Sequence, residues 1–119
     1  MMLLIVLLMT TLAPAPGAAD ESLACNLNAL TKTERSSHAK VSRQLLNAVE
    51  ERRELSNGYA LRLPSDMLGT AAEWVRLERR CCPFFTFEIE VTKDGGPLWL
   101  RLTGRDGIKP FIRSEFGLD

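Results

Sequence analysis

The first pattern of apolar and polar positions beyond the amino-terminal region predicts a helix. Thr31 and Glu34 have the spacing of a capping box, in which a Thr hydroxyl and a Glu three residues later satisfy the free amides of a helix start. Apolar residues then recur at helical spacing and charged residues lie between them. Asn57-Gly58 favours the left-handed conformation that ends helices. We therefore expect a first helix from about residue 32 to 55.

A strand and a second helix are predicted next. Residues 59–63 alternate between the two sides of a half-buried strand, and Pro64 ends it. Ser65 is placed to cap the following helix, and Pro83 must end that helix, because the residue before a proline is pushed towards extended geometry. The expected inner face of the helix consists of Met67, Leu68, Ala71, Val75 and Glu78, with Trp74 and Leu77 beside it.

The period changes to two from Phe84, which predicts an antiparallel hairpin. Residues 84–91 and 98–103 alternate, and residues 93–97 between them are a strong turn signal. Arg101 is expected to pair with Glu88 or Glu90 on the wetter face. A short amphipathic helix from Ile108 to Phe116 completes the chain. The order α-β-α-β-β-α predicts an α+β fold, a two-layer sandwich in which helices cover a small, mainly antiparallel sheet.

The amino-terminal region has a different character. Residues 1–19 carry no charge, and the run Met1–Leu12 is almost purely apolar. About a dozen apolar residues cannot span a bilayer, but they suit the core of a signal peptide. Gly17 and Ala19 are the small residues expected before a cut at Asp20. This predicts a leader over residues 1–19, a single α+β domain over 20–119, and export to the periplasm or the extracellular space.

Two alternatives to a cleaved leader stay open. The sequence Ser22-Leu23-Ala24-Cys25 has the small residues of a lipoprotein site, although Asp20 and Glu21 separate it from the apolar run. The run also has no Lys or Arg at its start, so a misassigned start codon and a cytoplasmic protein are an alternative. The compartment matters, because three cysteines would leave one thiol over after a disulfide, and all three would stay reduced in the cytosol.

Composition narrows the class of protein. The 119 residues are 45% hydrophobic and 25% charged, as in an ordinary globular domain. The 15 basic and 15 acidic residues are interspersed. No basic stripe is available for counterion release, so we expect no nucleic-acid partner and no specific membrane binding beyond the leader. The oligomeric state is not predicted.

The candidate chemistry lies in the run Glu78-Arg79-Arg80-Cys81-Cys82-Pro83. On a helix, Glu78 is three residues from Cys81 and four from Cys82, so its carboxylate reaches towards both thiols. Pro83 is expected to expose the last turn. Glu78 and the helix dipole disfavour thiolates, whereas the two arginines favour them. Cysteines that only fill a core are an equally good interpretation of the pair.

Two further residues extend this candidate site. His38 faces the apolar side of the first helix, either as a core group or as a neighbour of the cysteines. If Cys25 folds back, then Cys25, His38, Cys81 and Cys82 form a Cys₃His set for Zn²⁺. Adjacent cysteines suit soft cations such as Cu⁺ or Hg²⁺ at least as well. In an exported protein, a Cys25–Cys81 or Cys25–Cys82 disulfide competes with metal binding.

Several of these residues occur together in a known pattern. The chain resembles a family of small bacterial proteins without an established activity, most specifically in the run Glu-x-x-Cys-Cys-Pro-Phe. The pattern comprises Cys25-Asn26, Ala29-Leu30, Arg35, His38, Gly58-Tyr59, Glu78 to Phe84 and Leu102-Thr103-Gly104. The resemblance implies a heavy-metal context, of the mercury-regulation type. The apolar leader departs from the family pattern and puts a cytoplasmic role in doubt.

These observations predict a small thiol-rich binding module for a metal ion (Zn, Cu or Hg) or a thiol-reactive small molecule, not a turnover enzyme. The expected ligands are Cys81 and Cys82, supplemented by Cys25 and His38, with Glu78 accepting or orienting a thiol proton. One alternative is an enzyme with a cysteine nucleophile activated by His38. The other is an interaction module whose cysteines are inert core.

Overall fold

The computed structural model describes residues 23–118, so the predicted leader and its cleavage site lie outside the described residues. Within these residues, three helices and four strands follow one another, with short 3-10 turns before the first and second helices. They are α1 Lys32–Asn47, β1 Glu51–Leu55, β2 Gly58–Leu63, α2 Leu68–Cys81, β3 Thr86–Val91, β4 Leu98–Thr103 and α3 Ile108–Phe116.

The strands form one antiparallel sheet in the order β1-β2-β4-β3. Its inner face, which includes the fully buried Leu61 and Leu100, packs against apolar side chains of the helices, and its β3 side chains Phe87 and Ile89 are partly buried. The outer face carries charged side chains, with the Arg53 guanidinium lying 4.4 Å from the centre of the Trp99 ring. The predicted two-layer α+β sandwich and its order of elements are confirmed, with β1 as an additional strand.

The first helix is shorter than the sequence predicts. It begins at the predicted capping box, where Thr31 and Glu34 satisfy each other's backbone amides, but it ends at Asn47. Residues 51–55 form the edge strand β1 instead, and Ser56-Asn57 connects it to β2. The physical reason is that β1 is almost entirely charged, and such a segment fits an exposed sheet edge as well as the outer face of a helix.

The second helix differs from its prediction at its start and in its buried face. Ser65 lies in a 3-10 turn and does not cap α2, and Leu68 is 41% exposed. The buried face instead consists of Ala71, Trp74, Leu77, Glu78 and Cys81. This face packs against α1, where Trp74 donates to Ser42 and Glu78 contacts His38. The predicted end of the helix before Pro83 is confirmed.

The carboxy-terminal half agrees with the sequence pattern. The predicted hairpin is formed by β3 and β4, and Asp94 and Gly95 in its turn adopt positive φ angles. Arg101 donates to Glu90 at 2.7 Å, as expected for one of the two predicted partners. Helix α3 covers the predicted range. None of the helices in residues 23–118 combines the length and the apolar character needed to cross a bilayer.

Candidate functional site

The site is built at the carboxyl end of α2. The Glu78 carbonyl oxygen accepts the Cys82 N–H at 2.7 Å and the Cys81 thiol at 3.5 Å. Arg79 and Arg80 of the last turn are exposed as predicted, but both cysteine side chains are fully buried. A turn at Pro83-Phe84 follows the helix, and Phe85 is buried in the same core as the two cysteines.

The segment before α1 lies against this helix end. Cys25 is bonded to Cys82 in a disulfide. The Asn26 N–H donates to the Cys81 carbonyl oxygen at 2.7 Å, and Arg80 donates to the Ala29 carbonyl oxygen at 3.0 Å. Of the two disulfides that the sequence allowed, the structure contains Cys25–Cys82 and leaves Cys81 as a buried free thiol.

His38 reaches the site from α1. Its Nε2 atom contacts the Glu78 Oε2 atom, and its side chain is 16% exposed against 3% for Glu78. The interpretation in which His38 joins the cysteine site is therefore confirmed. Hydrogen bonding to Cys81 and to Glu78, strengthened by the negative charge of Glu78, raises the pKa of His38 to about 9 against the opposing effect of burial.

Glu78 links the sulfur atoms to this histidine. Its Oε1 atom lies 3.1 Å from the Cys82 sulfur, while its Oε2 atom meets His38. A disulfide sulfur has no proton to donate, so the Cys82 contact becomes a hydrogen bond only when the disulfide is reduced. The Cys81 sulfur lies 3.7 Å from the Cys82 sulfur, within reach of a weak S–H···S interaction.

A cavity of about 260 Å³ opens beside these residues. Side chains from every helix and from the segment before α1 line it. They are Cys25, Leu27, His38, Ala39, Ser42, Leu46, Glu78, Cys81, Cys82, Glu115 and Phe116. The lining is mainly apolar, and Leu27 is 49% exposed. The site is thus a buried polar cluster beneath an apolar surface cavity.

Two overlapping sets of donor atoms in this cluster have metal-site spacing. Cys25, Glu78 and Cys82 form one set, and His38, Glu78 and Cys81 form the other, with ligand atoms within 4.8 Å of one another in each. The structure therefore brings together all five predicted site residues, which we call the thiol site. Their action as metal ligands stays a prediction.

Sequence reasoning did not find the residues that hold the thiol site together. Asn26, Arg80 and Glu34 fix the segment before α1 to α2, since Arg80 also forms an ion pair with Glu34. Glu115 and Phe116 enter the cavity from the far end of the chain. Glu34 carried a visible signal in its capping box, but no spacing rule connects positions that are 46 residues apart.

Comparison with family models, with characterised proteins and with solved structures found no match to this chain. What the thiol site can do follows from its own residues. Cys81 and Cys82 belong to the hydrophobic core, as the inert-core alternative requires. A buried Cys81 is also a poor nucleophile for a substrate in solution, which weighs against the enzyme alternative.

Proposed function

We propose that the protein binds a soft or borderline metal ion, Cu⁺, Hg²⁺ or Zn²⁺, through the thiol site in its reduced form. The observation that carries this proposal is the convergence of three sulfur atoms, one imidazole and one carboxylate on a single cavity. They come from three separate segments of the chain. Sulfur ligands select soft cations, and a mixed sulfur and nitrogen set also suits Zn²⁺.

The disulfide decides which donors are available. In the reduced protein, Cys81 and Cys82 would be the principal ligands, with Cys25 and His38 completing the set. With the Cys25–Cys82 bond closed, the donors that remain are His38, Glu78 and Cys81. Disulfide sulfurs are not thiolates, so oxidation removes two of the strongest ligands. Uptake is therefore expected to be strongest under reducing conditions.

Protons compete with the metal ion at this site. Thiols must lose their protons and His38 must be neutral before they bind a metal ion. The raised pKa of His38 means that its ring is protonated at neutral pH. Metal uptake should therefore release protons and grow stronger as pH rises, and Glu78 is placed to accept the thiol proton of Cys82.

The test is native mass spectrometry of the reduced protein with Zn²⁺, Cu⁺ and Hg²⁺. The double variant Cys81→Ser/Cys82→Ser should lose most of the uptake. Glu115→Gln is the matched control, because Glu115 lines the same cavity but belongs to neither donor set. Equal uptake by the wild type and the double variant would contradict the proposal.

The resemblance in the run Glu78 to Phe84 supports a metal ion or a thiol-reactive small molecule as the partner, since it implies a heavy-metal context. Export of the protein, which the apolar residues 1–19 favour, would place the thiol site in an oxidising compartment. The metal-bound reduced form would then compete with the form that contains the Cys25–Cys82 disulfide. Metal uptake measured at a series of glutathione ratios would reveal that competition as a loss of binding on oxidation.

A further inference from the structure

The two sulfur atoms of the disulfide are unequally accessible. Cys82 is fully buried, whereas Cys25 is only partly buried, in an irregular segment that borders the cavity. We propose that Cys25 and Cys82 are a dithiol–disulfide couple that exchanges with a small-molecule disulfide, with Cys25 meeting the co-substrate and Cys82 closing the bond. This activity goes beyond metal binding and needs no metal ion.

The Cys25–Cys82 disulfide can be reduced while the two cysteines stay close together. The segment that carries Cys25 is also held by the hydrogen bond from Asn26 to Cys81 and by the contacts of Arg80 with Ala29 and Glu34. After reduction, these contacts keep the two thiols as neighbours. A high effective concentration of one thiol at the other favours closure over reaction with a second molecule from solution.

The exchange balances in two steps. The Cys25 thiolate attacks one sulfur of the small disulfide, which breaks that S–S bond, releases one thiolate and leaves a mixed disulfide on Cys25. The Cys82 thiolate then attacks the Cys25 sulfur, closes the Cys25–Cys82 bond and expels the second thiolate. Two electrons pass from the protein to the co-substrate. The two protein thiol protons reach the two released thiolates, that of Cys82 by way of the Glu78 oxygen 3.1 Å away.

The cavity is suited to the first step. About 260 Å³ of space lies beside Cys25, and Leu27 and Phe116 provide an apolar lining for the incoming group. Cys82 borders the same cavity but is fully buried, whereas Cys25 is partly exposed. A co-substrate thus meets Cys25 first, and the buried thiol resolves the mixed disulfide.

Cys81 takes no part in this exchange. It is fully buried, and a bond to Cys82 would join consecutive residues, whose Cα atoms are about 3.8 Å apart. Relaxed disulfides have Cα separations of about 4.4–6.8 Å, so the vicinal bond would be strained. Substitution of Cys81 therefore separates the two activities, because the metal site needs this thiol and the exchange does not.

The test uses the reduced protein with oxidised glutathione in a buffer containing a chelator, quenched with acid and mapped by mass spectrometry. Cys82→Ser should accumulate glutathione on Cys25, whereas Cys25→Ser should form adducts about tenfold more slowly. Cys81→Ser should close the disulfide at a rate within about twofold of wild type. Adducts mainly on Cys81 or Cys82, or lost closure in Cys81→Ser, would overturn the proposal.

A measurement on the wild type guards against variants that do not fold. In the reduced native protein, iodoacetamide should modify Cys25 about tenfold faster than Cys81 or Cys82, and in urea the three rates should converge. Faster modification of either buried cysteine refutes the assigned roles. Failure of metal uptake with intact exchange removes only the metal proposal, and loss of exchange with normal metal uptake removes only this one.

Discussion

At the scale of single residues, Glu78 organises the thiol site. Its side chain is buried, yet one oxygen contacts His38 and the other lies beside the Cys82 sulfur. A buried carboxylate costs free energy unless it is paired and hydrogen-bonded. The protonated ring of His38 supplies that pairing, and we therefore expect the two residues to behave as one unit.

The pairing predicts a change in the titration of His38. Because hydrogen bonds to Cys81 and Glu78 and the negative charge of Glu78 raise its pKa to about 9, Glu78→Gln should lower that pKa towards the ordinary 6.5. His38 is the single histidine of the chain, so its ring protons can be followed by NMR without assignment. Glu115→Gln should leave the titration unchanged. An unchanged titration in Glu78→Gln would contradict the pairing.

The same pair predicts how stability depends on pH. The pKa of His38 is 6.5 when unpaired and about 9 in the folded protein, so the folded state holds the proton more tightly. The stabilisation is complete below pH 6.5 and disappears as pH rises through about 9. Urea unfolding should show His38→Gln clearly less stable than wild type at about pH 6 and closer to it at about pH 10. A difference that grows with pH would show that the pair does not act in this way.

The residue scale also shows where sequence reasoning stops. Helical spacing places Glu78 beside Cys81 and Cys82 from the sequence alone, because the i, i+3 and i, i+4 relations are local. The contact between Glu78 and His38 spans 40 positions and depends on how α1 crosses α2. One interpretation of the sequence placed His38 near the cysteines, since the first helix must pack against the second. The sequence did not predict which atoms of His38 and Glu78 meet.

At the scale of elements, the start of α1 supports the site. Thr31 and Glu34 fix the first turn, and Glu34 also holds Arg80 at the end of α2. One glutamate thus caps the helix that carries His38 and ties it to the helix that carries the cysteines. The backbone hydrogen bond to Thr31 and the contact with Arg80 lower the pKa of Glu34 to about 2.

The capping box yields a matched pair of variants. Thr31→Ala removes the hydroxyl oxygen that accepts a hydrogen bond from the Glu34 N–H. This change should destabilise the protein by about 1 kcal/mol. Thr33→Ala is the control, because Thr33 is exposed in the same turn and is not the cap. Both are measured by urea unfolding with the disulfide intact. Equal losses in the two variants would mean that the cap contributes nothing.

The end of α1 was predicted too late because Gly58 was misinterpreted as part of a helix end. The pair Asn57-Gly58 predicts a helix end from its tolerance of left-handed backbone, yet neither residue has a positive φ angle. Gly58 is needed because a Cβ atom there would lie 1.8 Å from the Leu102 carbonyl oxygen of β4. Close approach between central strands requires glycine as strictly as a left-handed turn does, and one sequence does not separate these two demands.

At the scale of the whole molecule, two α-β-β units meet along the antiparallel β2–β4 pair, which gives the sheet order β1-β2-β4-β3. Local patterns predicted the later hairpin, because a turn signal fixes its register. The pairing of β2 with β4 joins distant segments, and only the shared burial of their leucines specifies it. The Cys25–Cys82 bond is non-local in the same way, so the sequence left its partner open.

The Cys25–Cys82 disulfide also contributes to the free energy of unfolding, which should fall when the bond is reduced. It joins residues 57 positions apart, and constraining a loop of that length stabilises a fold by about 4 kcal/mol in the chain-entropy estimate. Urea unfolding with and without a reductant should show a loss of up to about this size. Adding the reductant should destabilise the Cys81→Ser variant by the same amount, because Cys81 is not part of the disulfide. The reduced protein should still fold, since Asn26, Arg80 and Glu34 hold the Cys25 segment independently. A reduced chain that is unfolded in the absence of urea would leave no preformed site for either a metal ion or a disulfide co-substrate.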